Sequence, residues 1–174
     1  MEQRVVSTIV FDGRIVSVRV DQVERAGGRH STREVVEHPG AVAIVPITTS
    51  GNVLLVEQYR YAVNRTLLEV PAGSREAGES PLETARRELE EETGYRAASL
   101  VEIGRFFVSP GWATEEIILF RAGALDSIGH GFDHDEILDV LEIEPARIPV
   151  LMRDGKIADA KTIIGLQLVL TNLQ

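Results

Sequence analysis

The chain has 174 residues, 44% of them hydrophobic and 26% charged, which suits one ordinary globular domain over 1–174 and argues against disorder or a fibrous repeat. It contains no cysteine, which excludes disulfides, thiolate metal sites and a cysteine nucleophile, and its net charge of -9 argues against nucleic acid as a partner. Met1 to Val10 lacks the basic flank and long apolar core of a signal peptide, and no apolar run approaches the roughly 20 residues that cross a bilayer, so a cytoplasmic protein without membrane contact is expected.

Strands come first. Branched residues run from Val5 to Val10 and from Ile15 to Val20, and Asp12-Gly13 between them predicts a hairpin with a two-residue turn. After Ala26-Gly27-Gly28 the pattern predicts strands over Thr32 to Glu37, Ala41 to Ile47 and Val53 to Val56, with a turn at Ser50-Gly51-Asn52. The unbroken run from Ala41 to Val45 points to a strand buried on both faces. Ser80 to Thr93 is the clearest helix: Ser80 can cap it, Pro81 suits its first position, Glu83 completes a capping box and Gly94 stops it. Leu82, Ala85 and Leu89 form its apolar stripe, opposite an acidic face. Further strands are expected near Val101 to Val108, Ile117 to Arg121 and Ile137 to Ile143, and helices near Ala146 to Arg153 and Thr162 to Thr171. Strands with one helix in mid-chain and others last fit a mixed sheet covered by helices on both faces.

Within the first helix, Glu88, Glu91 and Glu92 fall at i, i+3 and i+4, inside an arc of roughly 100°. These acids lie in the last turns, where the helix dipole disfavours negative charge. Two readings follow. One is a solvated face laced with ion pairs, for which Glu83 to Arg87, Arg86 to Glu90 and Arg87 to Glu91 have suitable spacing. The other is a cation site, since two carboxylates about 5 Å apart repel by roughly 3 kcal/mol at an effective dielectric near 20. Oxygen-only ligands favour magnesium, or manganese in its place, over zinc.

The stretch from Gly73 to Tyr95, with Glu79, Arg87-Glu88-Leu89, Glu91-Glu92 and Gly94 in place, resembles the Nudix box, G-x5-E-x7-R-E-U-x-E-E-x-G-U. His38-Pro39-Gly40-Ala41-Val42 and Asp154-Gly155-Lys156-Ile157 resemble the ADP-ribose pyrophosphatase branch of that family. The resemblance implies a Nudix-type α/β/α sandwich preceded by an N-terminal β-hairpin, and a metal-dependent hydrolase of a small nucleoside diphosphate. It further implies that Glu88, Glu91 and Glu92, with the Ala72 carbonyl, ligate the metal, while Glu79 and Arg87 support the loop and helix.

Outside the box, Ser109-Pro110-Gly111 places Pro110 sixteen residues beyond Gly94, a spacing that resembles the ADP-ribose enzymes; it also reads as a turn closing a strand. By the same resemblance Glu115 contacts the terminal ribose, and Trp112 stands where Phe is commoner. Arg60, in Gln58-Tyr59-Arg60-Tyr61, matches an arginine that meets the substrate phosphate, and Arg33 and Glu34 lie where the adenosine part is contacted, often across a homodimer built on strands within 1–37. Glu115 and Arg60 read equally as surface residues. The resemblance takes the general base from the loop Asp133-His134-Asp135-Glu136, with Glu136 preferred within two positions. The expected reaction is ADP-ribose to AMP and ribose 5-phosphate. Hydrolysis of another nucleotide sugar such as a GDP-sugar, or a noncatalytic ADP-ribose sensor, are the alternatives.

Overall fold

The computed structural model describes residues 1–129 and 139–171. Two compact units are formed, one by Met1–Gly40 with Phe106–Glu116, the other by Ala41–Arg105 with the described residues from Ile117 onward.

In the first unit, β1 (Glu2–Asp12), β2 (Ser17–Arg25) and β3 (Arg29–Glu37) form an antiparallel sheet in that order. The expected hairpin is thus part of a three-stranded sheet, and its turn differs too. Asp12 pairs with Ser17, leaving Gly13 to Val16 as a loop closed by the Gly13 N–H donating to the Val16 carbonyl at 3.0 Å. A two-residue turn of the usual hairpin type demands positive φ at its first central residue. Neither Asp12, the first central residue of the expected turn, nor Gly13 has positive φ, and Ile15 and Val16 belong to the loop. By contrast Gly27 and Gly28, at φ 88° and 73°, do supply the left-handed backbone that joins β2 to β3. β1 is exposed along its whole length, whereas Asp21 and Val23 of β2 are buried.

The second unit is built on β4 (Ala41–Pro46), in which every residue is buried as its sequence predicts. In its sheet the order is β7 (Ala72–Ser74), β4, β9 (Glu116–Ser127), β8 (Tyr95–Phe107), with β4 and β9 parallel and β4 and β7 antiparallel, so the sheet is mixed. Side chains alternate across these strands. Val42, Ile44, Ile118 and Phe120 pack on Ala85 and Leu89 of α1 (Pro81–Thr93). The alternate residues Val45 and Leu119 meet α3 (Ala160–Thr171) at Gly165, where an added Cβ would approach Val45 Cγ2 to 2.9 Å. Helices therefore lie on both faces of β4 and β9, the α/β/α arrangement expected.

A second antiparallel sheet has the order β10 (Asp139–Ile143), β5 (Val53–Arg60), β6 (Arg65–Glu69). Neither β6 nor β7 stands out in the sequence, and β8, which neighbours β9 at the edge of its sheet, starts at Tyr95, six residues before the strand expected there. The helix expected over Ala146 to Arg153 is a 3-10 turn, Pro145–Arg147, followed by α2 (Ile148–Arg153). Among the described residues no helix is long and apolar enough to cross a membrane.

Candidate active site

Local chemistry fixes both ends of α1. The Ser80 hydroxyl accepts the Glu83 N–H and the Glu83 carboxylate accepts the Ser80 N–H at 2.8 Å, the two halves of the predicted capping box. Gly94, left-handed at φ 70°, ends the helix. The faces differ from the expectation. Leu82 in the first turn is exposed, and the buried side comprises Thr84, Ala85, Glu88, Leu89, Glu92 and Thr93. Glu88 and Glu92, at i and i+4, thus share the side that packs inward. Glu91 points outward, its side chain 49% exposed.

Of the three ion pairs with suitable helical spacing, only Arg87 to Glu91 appears among the described contacts. Glu83 turns to Ser80 and Glu90 to Arg96. Arg87 is the hub: its Nε and Nη2 donate to Glu79 at 2.9 and 3.0 Å, and its Nη1 donates to Glu88 at 2.7 Å and Glu91 at 3.0 Å. That bidentate hydrogen bond holds the Glu79 carboxyl at about 2, well below its ordinary value. Glu88 moves the other way, because burial, only partly offset by Arg87, raises its pKa.

The Glu88 carboxylate lies in the space that a Cβ on Gly73 would occupy. Glycine at the head of the motif is therefore a packing requirement of an acid fifteen residues later. Gly73→Ala is expected to lower kcat/KM roughly 10- to 100-fold, the range for displaced supports of a metal ligand. Stability should change by less than about 1 kcal/mol, since the atoms in the way end a flexible side chain. Unchanged activity of the purified variant would show that the position of Glu88 is not required.

On the same side of the unit, the Glu92 carboxylate accepts the Ala72 N–H at 3.0 Å, bringing together two of the expected ligand residues. Glu88, Glu91, Glu92 and the Ala72 carbonyl offer oxygen only, the donor chemistry of magnesium or manganese. Buried Glu88, with its pKa raised, is a group that a cation would relieve. Among the described residues no three acidic or histidine side chains are arranged to hold a metal ion. Arg87 pairs with Glu88 and Glu91, and the Ala72 N–H donates to Glu92.

Arg60, at the end of β5, has a partner that its sequence surroundings do not suggest. Its Nε and Nη2 donate to the two oxygens of Glu69 at 2.9 and 2.7 Å, and Glu69 is 1% exposed. Lys161 also pairs with Glu69, and Lys161 Nζ donates to Asp159 at 3.0 Å. Burial pushes the Glu69 carboxyl up, but the Arg60 hydrogen bonds and the two cations outweigh it and hold the pKa below its ordinary value. The signal for Glu69 is an acid closing the apolar run Leu67-Leu68; nothing local ties it to Lys161, 92 residues away.

Arg33, Ser109, Pro110, Gly111 and Glu115 belong to the first unit. There the Ser109 carbonyl accepts the N–H groups of Trp112 and Ala113, forming the predicted turn, and Val36 exchanges backbone hydrogen bonds with Trp112 and Thr114. Glu115 lies 4.0 Å from His38 Nδ1, a nitrogen that accepts the Gly40 N–H. Arg33 donates to Glu2, Ser31 and the Thr32 carbonyl, so its guanidinium is engaged within its own sheet. Glu136 and its neighbours Asp133, His134 and Asp135 lie outside the described residues.

A two-sided α/β/α sandwich carrying an acidic loop, helix and loop defines the class of protein. The NUDIX domain matches residues 37–163, and the nucleoside diphosphate sugar hydrolase N-terminal domain matches residues 2–36. The chain belongs to the Nudix family. It is 39% identical over 168 residues to the ADP-ribose pyrophosphatase of Bacillus subtilis (strain 168), covering 95% of this chain and 91% of that protein. It is 40% identical over 168 residues, with the same coverage, to the methanol dehydrogenase activator of Bacillus methanolicus. A solved structure, that of an ADP compounds hydrolase, superposes with a TM-score of 0.87 at 25% identity, covering 99% of this chain and 94% of that one.

Proposed function

We propose that the protein hydrolyses ADP-ribose to AMP and ribose 5-phosphate, using magnesium, or manganese in its place. The observation that carries this is an intact acidic loop, helix and loop in a chain similar, over nearly its whole length, to a protein named ADP-ribose pyrophosphatase. Water attacks one phosphorus of the diphosphate, the bond from that phosphorus to the bridging oxygen breaks, and the water's proton passes to a carboxylate, for which we propose Glu136. Glu88, Glu91, Glu92 and the Ala72 carbonyl would hold a divalent cation, which would supply neutralisation of phosphate oxygens and a lowered pKa for water. Arg87 keeps Glu88 and Glu91 in place, and Arg60 offers its guanidinium to a phosphate oxygen. Glu115 contacts the terminal ribose, Ser109, Pro110 and Gly111 contribute to substrate binding, and Arg33 contacts the adenosine.

The test is to incubate pure protein and magnesium with a panel of nucleoside diphosphate derivatives and identify the products. AMP and ribose 5-phosphate from ADP-ribose, with kcat/KM at least about 10-fold above that for a GDP-sugar, is the expected result; a factor of ten is about 1.4 kcal/mol of discrimination. Preference for the GDP-sugar would replace the substrate, and absence of any metal-dependent turnover would leave a noncatalytic sensor.

The working form is proposed to be a homodimer. Val5, Ile9, Val10 and Phe11 of edge strand β1 are each more than half exposed, and such a strand needs cover. Ile9→Asp with Phe11→Asp is expected to shift the mass measured by sedimentation at micromolar concentration from dimer to monomer. A wild-type protein that is monomeric and fully active would refute the dimer.

A further inference from the structure

The Arg60 guanidinium has two paired N–H edges, and among the described residues only the Nε/Nη2 edge is gripped. Nε and Nη2 grip the two oxygens of Glu69 in parallel, the fork geometry in which guanidinium and carboxylate hold each other most rigidly. Among the described residues Nη1 has no partner, and the Arg60 side chain is 39% exposed while Glu69 is 1% exposed. One edge is thus anchored inside the protein and another is presented outward. Glu92 lies near enough for its charge to favour the charged form of Arg60.

The anchor is itself held. Lys161 pairs with Glu69, Asp159 Oδ1 accepts from Lys161 Nζ, and the same oxygen accepts the Thr162 N–H at 3.1 Å, capping α3. The next residue repeats the tie: Val70 N–H donates to the Thr162 hydroxyl at 2.9 Å. Two successive residues after β6 begins its exit are therefore fastened to two successive residues of the first turn of α3, one tie by charge and one by a neutral hydrogen bond. Burying a carboxylate between two cations is costly unless every charge is paired, and such an arrangement is a weak route to stability compared with apolar packing. It does fix a guanidinium in one orientation.

We infer that Glu69 and Lys161 are positioning residues, which hold the free edge of Arg60 in the orientation that accepts a substrate phosphate. This rests on the proposed role of Arg60 in binding the diphosphate. The neutral tie through Thr162 secures α3 but not Arg60, so the two ties are separable by mutation.

The test compares steady-state constants for ADP-ribose at saturating magnesium. Arg60→Ala is expected to raise KM at least about 30-fold, within the range for losing a hydrogen bond to a charged group. Lys161→Met, close in shape but uncharged, and Glu69→Gln are each expected to raise KM about 10-fold with kcat within about 3-fold, and Lys161→Arg to restore most of the loss. Thr162→Val should lower Tm comparably and leave KM within about 2-fold. Adding Lys161→Met to Arg60→Ala should cost nothing further in kcat/KM, because the anchor acts only through the arginine. If Arg60→Ala leaves kcat/KM unchanged, the reading of Arg60 as a phosphate contact fails. If Arg60→Ala is impaired but Lys161→Met and Glu69→Gln are not, or if Thr162→Val moves KM as far as they do, the positioning role fails alone. Should Lys161→Met and Glu69→Gln not fold, Asp159→Asn keeps the helix cap but removes the carboxylate charge that pairs with Lys161; KM raised about 3-fold supports the role, and an unchanged KM overturns it.

Discussion

Glu92→Gln is expected to lower turnover at least about 100-fold at saturating magnesium, the upper end of what removing even an outer support of a metal ligand costs. Its fold should survive, with metal-free Tm unchanged or higher. The reason lies in the balance of charges on α1. Glu92 is buried, stands one turn from buried Glu88, and sits at the negative end of the helix dipole. An amide at this position still offers an oxygen to the Ala72 N–H, so that hydrogen bond survives while the repulsion disappears. Magnesium supplies a second readout, because a ligand that binds only the folded state at 100 times its Kd stabilises it by about 2.7 kcal/mol. Wild-type Tm should therefore rise with magnesium, and that rise should be largely absent in Glu92→Gln. A variant that loses metal-free stability yet keeps near-normal turnover would leave Glu92 as a structural carboxylate.

What could be read in the sequence was what short-range chemistry determines. Ser80, Pro81, Glu83 and Gly94 act within a few residues of where they stand, and each does what its side chain predicts. The unbroken apolar run of β4 likewise reports its own burial, since a strand flanked by β7 and β9 with helices on both faces has no side left for water. Leu82 misleads because, although on the same stripe as Ala85 and Leu89, it lies in the first turn of α1, exposed and outside the cluster in which those two meet β4. Glu88 and Glu92, three residues beyond Ala85 and Leu89, flank the buried face rather than oppose it, and there Glu88 takes the space at Gly73 and Glu92 accepts the Ala72 N–H. Such partners come from β7, a three-residue strand with no pattern of its own. The Glu69 to Lys161 tie is the extreme case: only the folded chain brings those residues together.

The second large effect is expected at Glu136. Helix carboxylates engaged with cations are poor proton acceptors, because the bound charge depresses their pKa and occupies their lone pairs. In this protein Glu88 and Glu91 are already committed to Arg87, and Glu92 to the Ala72 N–H. A separate carboxylate is needed, and Asp133-His134-Asp135-Glu136, just ahead of β10, provides the candidates in sequence. A general base works only as the proton leaves water in the transition state, so its removal lowers kcat without a matching change in substrate or metal affinity. Glu136→Gln is accordingly expected to reduce kcat by roughly 100-fold or more, the usual scale for losing such a base. KM for ADP-ribose and the magnesium dependence should move little, in contrast to Arg60→Ala, whose loss is in KM, and Glu92→Gln, whose loss follows the metal. The pH profile separates the cases further: the acidic limb of kcat reports the base, and it should disappear from the residual activity of Glu136→Gln. If that variant keeps kcat within a few-fold of wild type, the same measurements on Asp133→Asn and Asp135→Asn locate the base in the loop, and normal kcat in all three returns the assignment to α1.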